Sequence, residues 1–149
     1  MPVLNVEPKY DEKEMKNLSI ATPNVIGKSV DSAKKTLKAK ELKYKIVGKG
    51  DKILNQSPSS STNIPAKGVV VLYTEQSEKQ KTKVPDFTGL TVSEANRAAA
   101  DSNLNIEING NNLSASTVVA YRQSVDKGSE VDIGSVITVT FKNTRSVLD

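Results

Sequence analysis

Two Ser-x-x-Lys pairs, Ser32 with Lys35 and Ser124 with Lys127, have a spacing compatible with covalent chemistry. In serine acyl-transfer enzymes this spacing places a nucleophilic hydroxyl beside a lysine, with a Lys-Thr-Gly strand opposite. The chain has no Lys-Thr-Gly sequence, and it is rich in both serine and lysine. Such pairs are therefore expected from composition alone, and we interpret these four residues as surface residues.

Histidine and cysteine are absent from the 149 residues. Their absence excludes Ser-His-Asp and Cys-His catalysis, disulfides and the usual zinc sites. Asp126 and Glu130 are close in sequence, but they lack the apolar context that separates the pKa values of a catalytic carboxylate pair. No calcium-loop pattern occurs either. The sequence thus predicts no catalytic residue, no metal and no cofactor.

The net charge of +4 is distributed unevenly along the chain. Residues 22–74 carry ten lysines against three acids, whereas residues 84–141 carry three basic residues against seven acids. Opposite charge predicts that the two halves pack compactly together, unless both are simply solvated or the basic half binds an anionic polymer. Nucleic acid is disfavoured, because that half has no arginine and only Tyr44 and Tyr73 for stacking.

The two halves are copies of one unit. Residues 22–29 match residues 84–91 at an offset of 62. Further along, residues 69–72 match residues 136–139 at an offset of 67, so five extra residues lie in the second copy near 110–114. Repetition at a nearly fixed offset indicates a repeated structural unit.

Each copy predicts one helix followed by three short strands, an α+β fold. Ser29 and Thr91 are suited to begin the helices, and Thr91 with Glu94 forms a capping-box pattern. Alternating polarity predicts that the first strand of each copy has one face in water, with Asn105 on that face in the second copy. The predicted strands are residues 42–46, 53–57 and 69–73 in the first copy, and 104–108, 118–124 and 136–141 in the second.

The remaining segments are polar. Residues 75–83 contain no apolar residue to bury, which is typical of an exposed linker. No apolar stretch is long enough to span a membrane and no signal peptide is visible, so we expect any membrane anchor to lie outside this chain. The predicted divisions are a tail from an upstream domain at 1–18, repeat units at 19–74 and 84–142, the linker at 75–83, and a tail at 143–149.

The matched residues form a pattern that resembles the PASTA repeat. The pattern is Pro-x-[Val/Phe]-x-Gly-x-[Ser/Thr]-x-x-x-Ala, then an apolar strand with a glycine, then Gln-Ser and a terminal β-run. The first copy departs from it with Ser61 in place of a loop glycine and with Lys67-Gly68 in place of Gly-Ser/Thr, and the second with Val125 in place of proline. The residues that carry the pattern are Pro23, Val25, Gly27, Ser29, Ala33, Leu42, Gly48, Gln56 and Pro58, and then Pro85, Phe87, Gly89, Thr91, Glu94, Ala95, Leu104, Gly110, Gln123, Gly128, Gly134 and Ser135.

The resemblance implies two tandem PASTA-type repeats, each one helix packed on a three-stranded sheet, with no catalytic function of their own. Repeats of this family are extracellular in Gram-positive bacteria and look like sensors or binders of peptidoglycan. Their parents are class B penicillin-binding proteins or transmembrane serine/threonine kinases. A pair of repeats after a non-repeat tail favours the first parent. The implied role is binding nascent septal peptidoglycan, so that the parent transpeptidase acts there during cell division.

Two alternatives follow from the same resemblance. One is a structural or docking module for the parent transpeptidase or for division proteins, and the other is the ectodomain of a kinase. Muropeptides present amides, hydroxyls and carboxylates, which exposed polar donors bind. The candidates for such contacts are Arg97 with Glu94 one turn before it, and Arg122 beside Tyr121. The alternative for each, which the residues themselves favour, is an ordinary solvated side chain.

Overall fold

The computed structural model describes residues 18–76, 78–110 and 118–143. The first repeat is a helix packed on a three-stranded sheet, as the sequence predicts. The helix begins after Ser29, whose side chain accepts a hydrogen bond of 3.2 Å from the Ser32 backbone N–H. The elements of the first repeat are β1 Ile20–Ala21, α1 Val30–Ala39, β2 Lys43–Val47, β3 Asn55–Ser57, β4 Asn63–Ile64 and β5 Val69–Tyr73.

The second repeat has the same plan. Its helix begins after Thr91, and the predicted capping box is confirmed by two hydrogen bonds between Thr91 and Glu94, of 3.0 and 3.3 Å. In each repeat the last long strand is central, parallel to the strand after the helix and antiparallel to the third. The elements are β6 Lys81–Lys83, α2 Val92–Asp101, β7 Asn105–Asn109, β8 Val118–Gln123, β9 Glu130–Asp132 and β10 Val136–Asn143.

One glutamine in each repeat links the sheet to the segment before the helix. The side chain of Gln56 accepts a hydrogen bond from the Val25 N–H at 2.8 Å and donates to the carbonyls of Pro23 and Pro58 at 3.0 and 3.1 Å. Gln123 makes the three equivalent bonds in the second repeat, to Phe87, Pro85 and Val125. The glutamine of the repeat pattern thus has a structural role, because it pairs backbone groups that lie outside the strands of the sheet.

Two short ribbons were not predicted. Strand β1 pairs with β4, and β6 pairs with β9 in antiparallel fashion. Strand β6 lies inside the 75–83 segment, where Lys81 and Lys83 face Asp132 and Glu130 across the ribbon. The β6–β9 ribbon is held by backbone pairing and opposite charge, and β1 and β4 have only two residues each, so neither ribbon has an apolar periodicity for sequence reasoning to detect.

The repeats pack against each other through an apolar cluster. Val69, Val71 and Tyr73 of β5 are buried together with Ile133 of the second repeat. Strand β5 is therefore buried on both faces, which agrees with its unbroken apolar sequence. The compact packing predicted from opposite charge is present, but the contact that produces it is apolar rather than ionic.

Asn105 corrects one expectation from the sequence. Alternation predicts that its side chain faces water, whereas it is completely buried between the repeats. Its amide oxygen accepts the Val69 N–H and its amide nitrogen donates to the Val69 carbonyl, both at 2.7 Å. The same nitrogen lies 3.3 Å from the Gly134 carbonyl. An asparagine can replace a missing strand partner in this way, which explains why a polar residue occupies the interface.

Candidate functional site

Arg122 lies on the face of the second sheet that points away from the helix. On β10, Val139 and Phe141 are buried in the core, so Thr140 and Lys142, which alternate with them, point to the opposite face. Arg122 pairs directly with Thr140, and cross-strand partners share a face. The exposed Arg122 side chain is therefore part of an outward-facing sheet surface.

Tyr121 is the extra residue of a β-bulge in β8. The register shifts between Thr140 and Phe141, whose partners on β8 are Arg122 and Ala120, so Tyr121 has no partner of its own. Bulges re-aim side chains in this way. Tyr121 is 42% exposed, whereas the aromatic residues Tyr73, Phe87 and Phe141 are buried.

Two cations lie over the Tyr121 ring. The Lys142 ammonium is 4.5 Å from the ring centroid and the Arg122 guanidinium carbon is 5.7 Å from it. Both distances allow attraction to the ring quadrupole. Sequence reasoning identified Tyr121 and Arg122 but missed Lys142, because the contact joins two strands that are far apart in the chain.

The rest of this sheet surface is polar and internally bonded. The Thr138 hydroxyl donates to Glu107 at 2.8 Å, and the Asn109 amide lies 3.4 Å from the Thr140 hydroxyl. The surface thus combines an exposed aromatic ring, two cations and a row of hydroxyl and amide groups. Such a set can bind hydroxyls, amides and carboxylates of an extended polar ligand.

Glu94 and Arg97 lie on the other side of the repeat. Both are exposed on α2, whose buried residues Val92, Ala95 and Ala99 pack on the inner face of the sheet. The sheet therefore separates them from Tyr121 and Arg122, and the four predicted residues do not form one site. The Glu94 carboxylate accepts a hydrogen bond from the Thr91 N–H in the capping box. This structural role is enough to explain why a glutamate occupies the position.

The other motifs considered above have ordinary surroundings. The Ser124 hydroxyl accepts the Thr138 N–H at 3.0 Å, and Lys127 lies 3.5 Å from the Asp86 carboxylate. Hydrogen bonds from the Thr88 N–H and side chain lower the pKa of Asp86 below its usual value. Among residues 18–76, 78–110 and 118–143, no three metal-ligating side chains come together.

Comparison with protein families identifies the class of the fold. The model of the PASTA domain matches residues 20–76 and 82–143, which is well over half of the chain. The chain belongs to the PASTA domain family and contains two such domains in tandem. These domains are non-catalytic, and they occur in penicillin-binding proteins and in Ser/Thr kinases.

Three solved structures are similar to this chain. Penicillin Binding Protein 2X from Streptococcus thermophilus is 25% identical over 83% of this chain and 17% of its own, with a TM-score of 0.36. The extra-cellular region of the Ser/Thr kinase PrkC from Staphylococcus aureus is 24% identical over 85% and 48%, with a TM-score of 0.38. A three-PASTA-domain structure of a Ser/Thr kinase from Staphylococcus aureus is 24% identical over 80% and 64%, with a TM-score of 0.32.

This chain therefore spans less than two thirds of each of those structures. Comparison with curated protein sequences gives no match. In the part of the chain that the structure describes, neither helix is long and apolar enough to cross a membrane.

Proposed function

We propose that this chain is a cell-wall-binding module that recognises nascent peptidoglycan outside the cytoplasmic membrane of a Gram-positive bacterium. The observation that carries the proposal is the match of both repeats to the PASTA domain. The module supplies no chemistry of its own. It acts by surface contact, and it localises the protein to which it is attached.

The parent that we propose is a class B penicillin-binding protein, a peptidoglycan transpeptidase similar to staphylococcal penicillin-binding protein 1. Binding at the division septum would bring the transpeptidase to newly made wall and so support cell division. The basis for this choice is the sequence pattern described above. The other parent compatible with the family is a serine/threonine kinase.

The surface that we propose for glycan contact is the outward face of the second sheet, centred on Tyr121. An exposed aromatic ring offers apolar contact to the C–H face of a sugar, while Arg122 and Lys142 attract carboxylate groups of the wall fragment. An extended polymer can lie across this outward-facing sheet surface. Open, solvated contacts of this kind are weak individually and gain strength from repetition along a polymer.

The test is a titration of the purified chain with soluble disaccharide-peptide fragments, followed by backbone amide NMR shifts, together with sedimentation on purified sacculi. We expect saturable shifts around residues 119–123 and 138–142. Tyr121→Ala and Arg122→Ala should each weaken binding about tenfold, which is the effect of losing one charged or aromatic contact. Lys38→Ala, an exposed lysine of α1, is the matched control and should bind normally.

Two outcomes contradict the proposal in different ways. Absence of binding at millimolar fragment and on sacculi would favour a docking module for the transpeptidase or for division proteins. Binding that both Tyr121→Ala and Arg122→Ala leave unchanged would keep the wall-binding function but reject this sheet surface as its location.

A further inference from the structure

The outer edge of strand β2 in the first repeat is open. Among the described residues β2 pairs only with β5, which makes it an edge strand of its sheet. The Lys43 N–H and the Val47 carbonyl bond to the residues that flank β5. Backbone groups alternate in direction along a strand, so residues 43, 45 and 47 bond to β5. The N–H and carbonyl groups of Tyr44 and Ile46 therefore point away from the sheet.

Positive charge flanks this edge on both faces of the sheet. Lys43 and Lys45 lie on the face that is turned toward the second repeat. On the other face the Lys34 ammonium, from α1, is 5.6 Å from the centroid of the Tyr44 ring. None of these three lysines has an acidic partner in the part of the chain that the structure describes. The β2 edge thus combines unpaired backbone groups with unpaired cations.

The corresponding edge of the second repeat is covered by protein. Strand β7 is the equivalent of β2, and β4 of the first repeat lies against it. The Asn105 side chain on β7 bonds to the N–H and the carbonyl of Val69. Ile106 is completely buried there, whereas its equivalent Tyr44 is only half-buried. The second repeat therefore shows that this edge of the unit accommodates another stretch of polypeptide.

Lysines replace the residues that make those contacts. At the offset of 62, Asn96 corresponds to Lys34 and Asn105 corresponds to Lys43. Asn96 donates a hydrogen bond of 2.8 Å to the Ala66 carbonyl of the first repeat. A lysine ammonium donates hydrogen bonds but accepts none, so it cannot pair both groups of a peptide unit as Asn105 does. The charge on the β2 edge instead favours an acidic partner.

The unpaired groups favour a peptide over a diffuse polyanion. The outward N–H and carbonyl groups of Tyr44 and Ile46 match the donors and acceptors of an added strand. A phosphate polymer would contact only the lysines, and it has no donors for the two carbonyls. Neighbouring strands alternate in the same way, so an added strand would place acidic residues beside Lys43 and Lys45 and apolar residues beside Tyr44 and Ile46.

We propose that the β2 edge binds an extended segment of a partner protein, in which acidic and apolar residues alternate. The segment adds a strand to the first sheet through the backbone groups of Tyr44 and Ile46. The lysines also oppose pairing of the edge with the same edge of a second copy, because like charges repel. This protein-binding surface is separate from the Tyr121 surface, and the inference does not rest on wall binding.

The test uses the peptide Glu-Val-Glu-Val-Glu-Val-Glu, acetylated and amidated at its ends, with the full chain. Binding is followed by NMR and by amide hydrogen exchange. In the free chain the N–H groups of Tyr44 and Ile46 should exchange faster than that of Lys45, and saturating peptide should slow both about tenfold or more. The matched peptide with lysine in place of glutamate should bind about tenfold more weakly or not at all.

N-methylation of the peptide separates backbone pairing from charge attraction. One peptide is methylated at the valine nitrogens and another at the glutamate nitrogens, and both keep all their carboxylates. Only one of these two sets of N–H groups faces β2 in a paired strand. One methylated peptide should therefore bind as the unmodified peptide does, and the other should lose binding.

A double variant locates the surface on the chain. Lys43→Gln combined with Lys45→Gln removes two cations and should weaken peptide binding about tenfold. The matched control combines Lys28→Gln with Lys52→Gln, two exposed lysines beside the start of α1, and should bind normally. Thermal unfolding checks that both double variants are folded.

The inference is overturned if the glutamate peptide does not bind at millimolar concentration, if both methylated peptides bind equally, or if the Lys43/Lys45 double variant binds normally. Protection of Tyr44 and Ile46 that rises with protein concentration in the absence of peptide would identify a second copy as the occupant and reject the acidic partner.

Sedimentation on sacculi keeps this inference distinct from the proposed function. The Lys43/Lys45 double variant should bind sacculi as the unmodified chain does, and loss of that binding would overturn the assignment of these lysines to a protein partner. Peptide binding without sacculus binding rejects only the wall-binding function. Sacculus binding without peptide binding rejects only the β2 edge.

Discussion

At the scale of single residues, the side chains that define the repeat are those that satisfy backbone groups. Gln56 and Gln123 occupy the same place in the two copies and make the same three hydrogen bonds. Glutamine provides one acceptor and two donor hydrogens, so a single side chain can pair an N–H and two carbonyls. These three hydrogen bonds explain why glutamine occupies this position of the repeat, and no ligand is needed to explain it.

This role predicts a large stability effect. Gln56→Ala leaves the Val25 N–H and two carbonyls without partners beside a buried site, so we expect the free energy of unfolding to fall by about 3 kcal/mol. Urea denaturation followed by circular dichroism measures it. The control is Gln76→Ala, an exposed glutamine, which should change stability by less than about 0.5 kcal/mol. Equal stability of the two variants would contradict the structural role of Gln56.

At the scale of elements, helix α2 depends on its capping box. Glu94 reaches back to the Thr91 N–H while Thr91 accepts from the Glu94 N–H, so two N–H groups at the start of the helix are satisfied. Helix α1 begins with Ser29 alone. Glu94 thus has a role in folding, and a variant that keeps the capping bond tests separately whether Glu94 also contacts a ligand.

We expect Glu94→Ala to lower the free energy of unfolding by about 0.5–1 kcal/mol, since one capping bond is lost. Glu94→Gln keeps an oxygen acceptor and should lose less than half as much. Thermal unfolding of the two variants measures the loss of stability in each, and so the ratio of the two losses. If Glu94→Gln were as stable as the unmodified chain yet bound wall fragments more weakly, Glu94 would have the ligand role that the sequence analysis assigned to it.

At the scale of the whole molecule, the arrangement of the repeats depends on apolar burial and on side-chain amides that bond across the boundary, Asn105 to Val69 and Asn96 to Ala66. Val69, Val71, Tyr73 and Ile133 exclude water from the contact, and Asn105 is completely buried beside them. Burial of this kind is insensitive to salt, unlike attraction between charged surfaces. The compact form should therefore persist when the ionic strength is raised.

Asn105→Ala should uncouple the repeats. Without the Asn105 amide, the N–H and the carbonyl of Val69 lose their buried hydrogen-bond partner. We therefore expect the free energy of unfolding to fall by about 2–4 kcal/mol. We also expect a larger radius of gyration and separate unfolding of the two repeats. Small-angle scattering and urea denaturation measure these changes. Asn109→Ala, at the exposed end of the same strand, is the control. An unchanged radius of gyration and a single unfolding transition in Asn105→Ala would contradict this account.

The sequence by itself determined the repeated unit, its helices and its longer strands, but not the two short ribbons. Helices begin at Ser29 and Thr91 as capping chemistry requires, and the long strands lie where alternation or an apolar run predicts them. These features depend on neighbours within a few residues, so local propensity and periodicity are enough to reveal them. Several residues of the family pattern are of the same kind, because Ser29 and Thr91 satisfy backbone groups in the first turn of their own helices.

Only the tertiary structure decided how surfaces are assembled from residues distant in the chain. It joined Lys142 to Tyr121, separated Arg97 from Arg122 by a sheet, and buried Asn105 against Val69. Asn105 has the sequence signature of a solvated residue, since alternation reports which face of a strand is apolar but not what lies against the other face. Contacts between the repeats depend on which surfaces meet in the folded protein. Local sequence patterns do not report that, because they reflect only neighbours within a few residues.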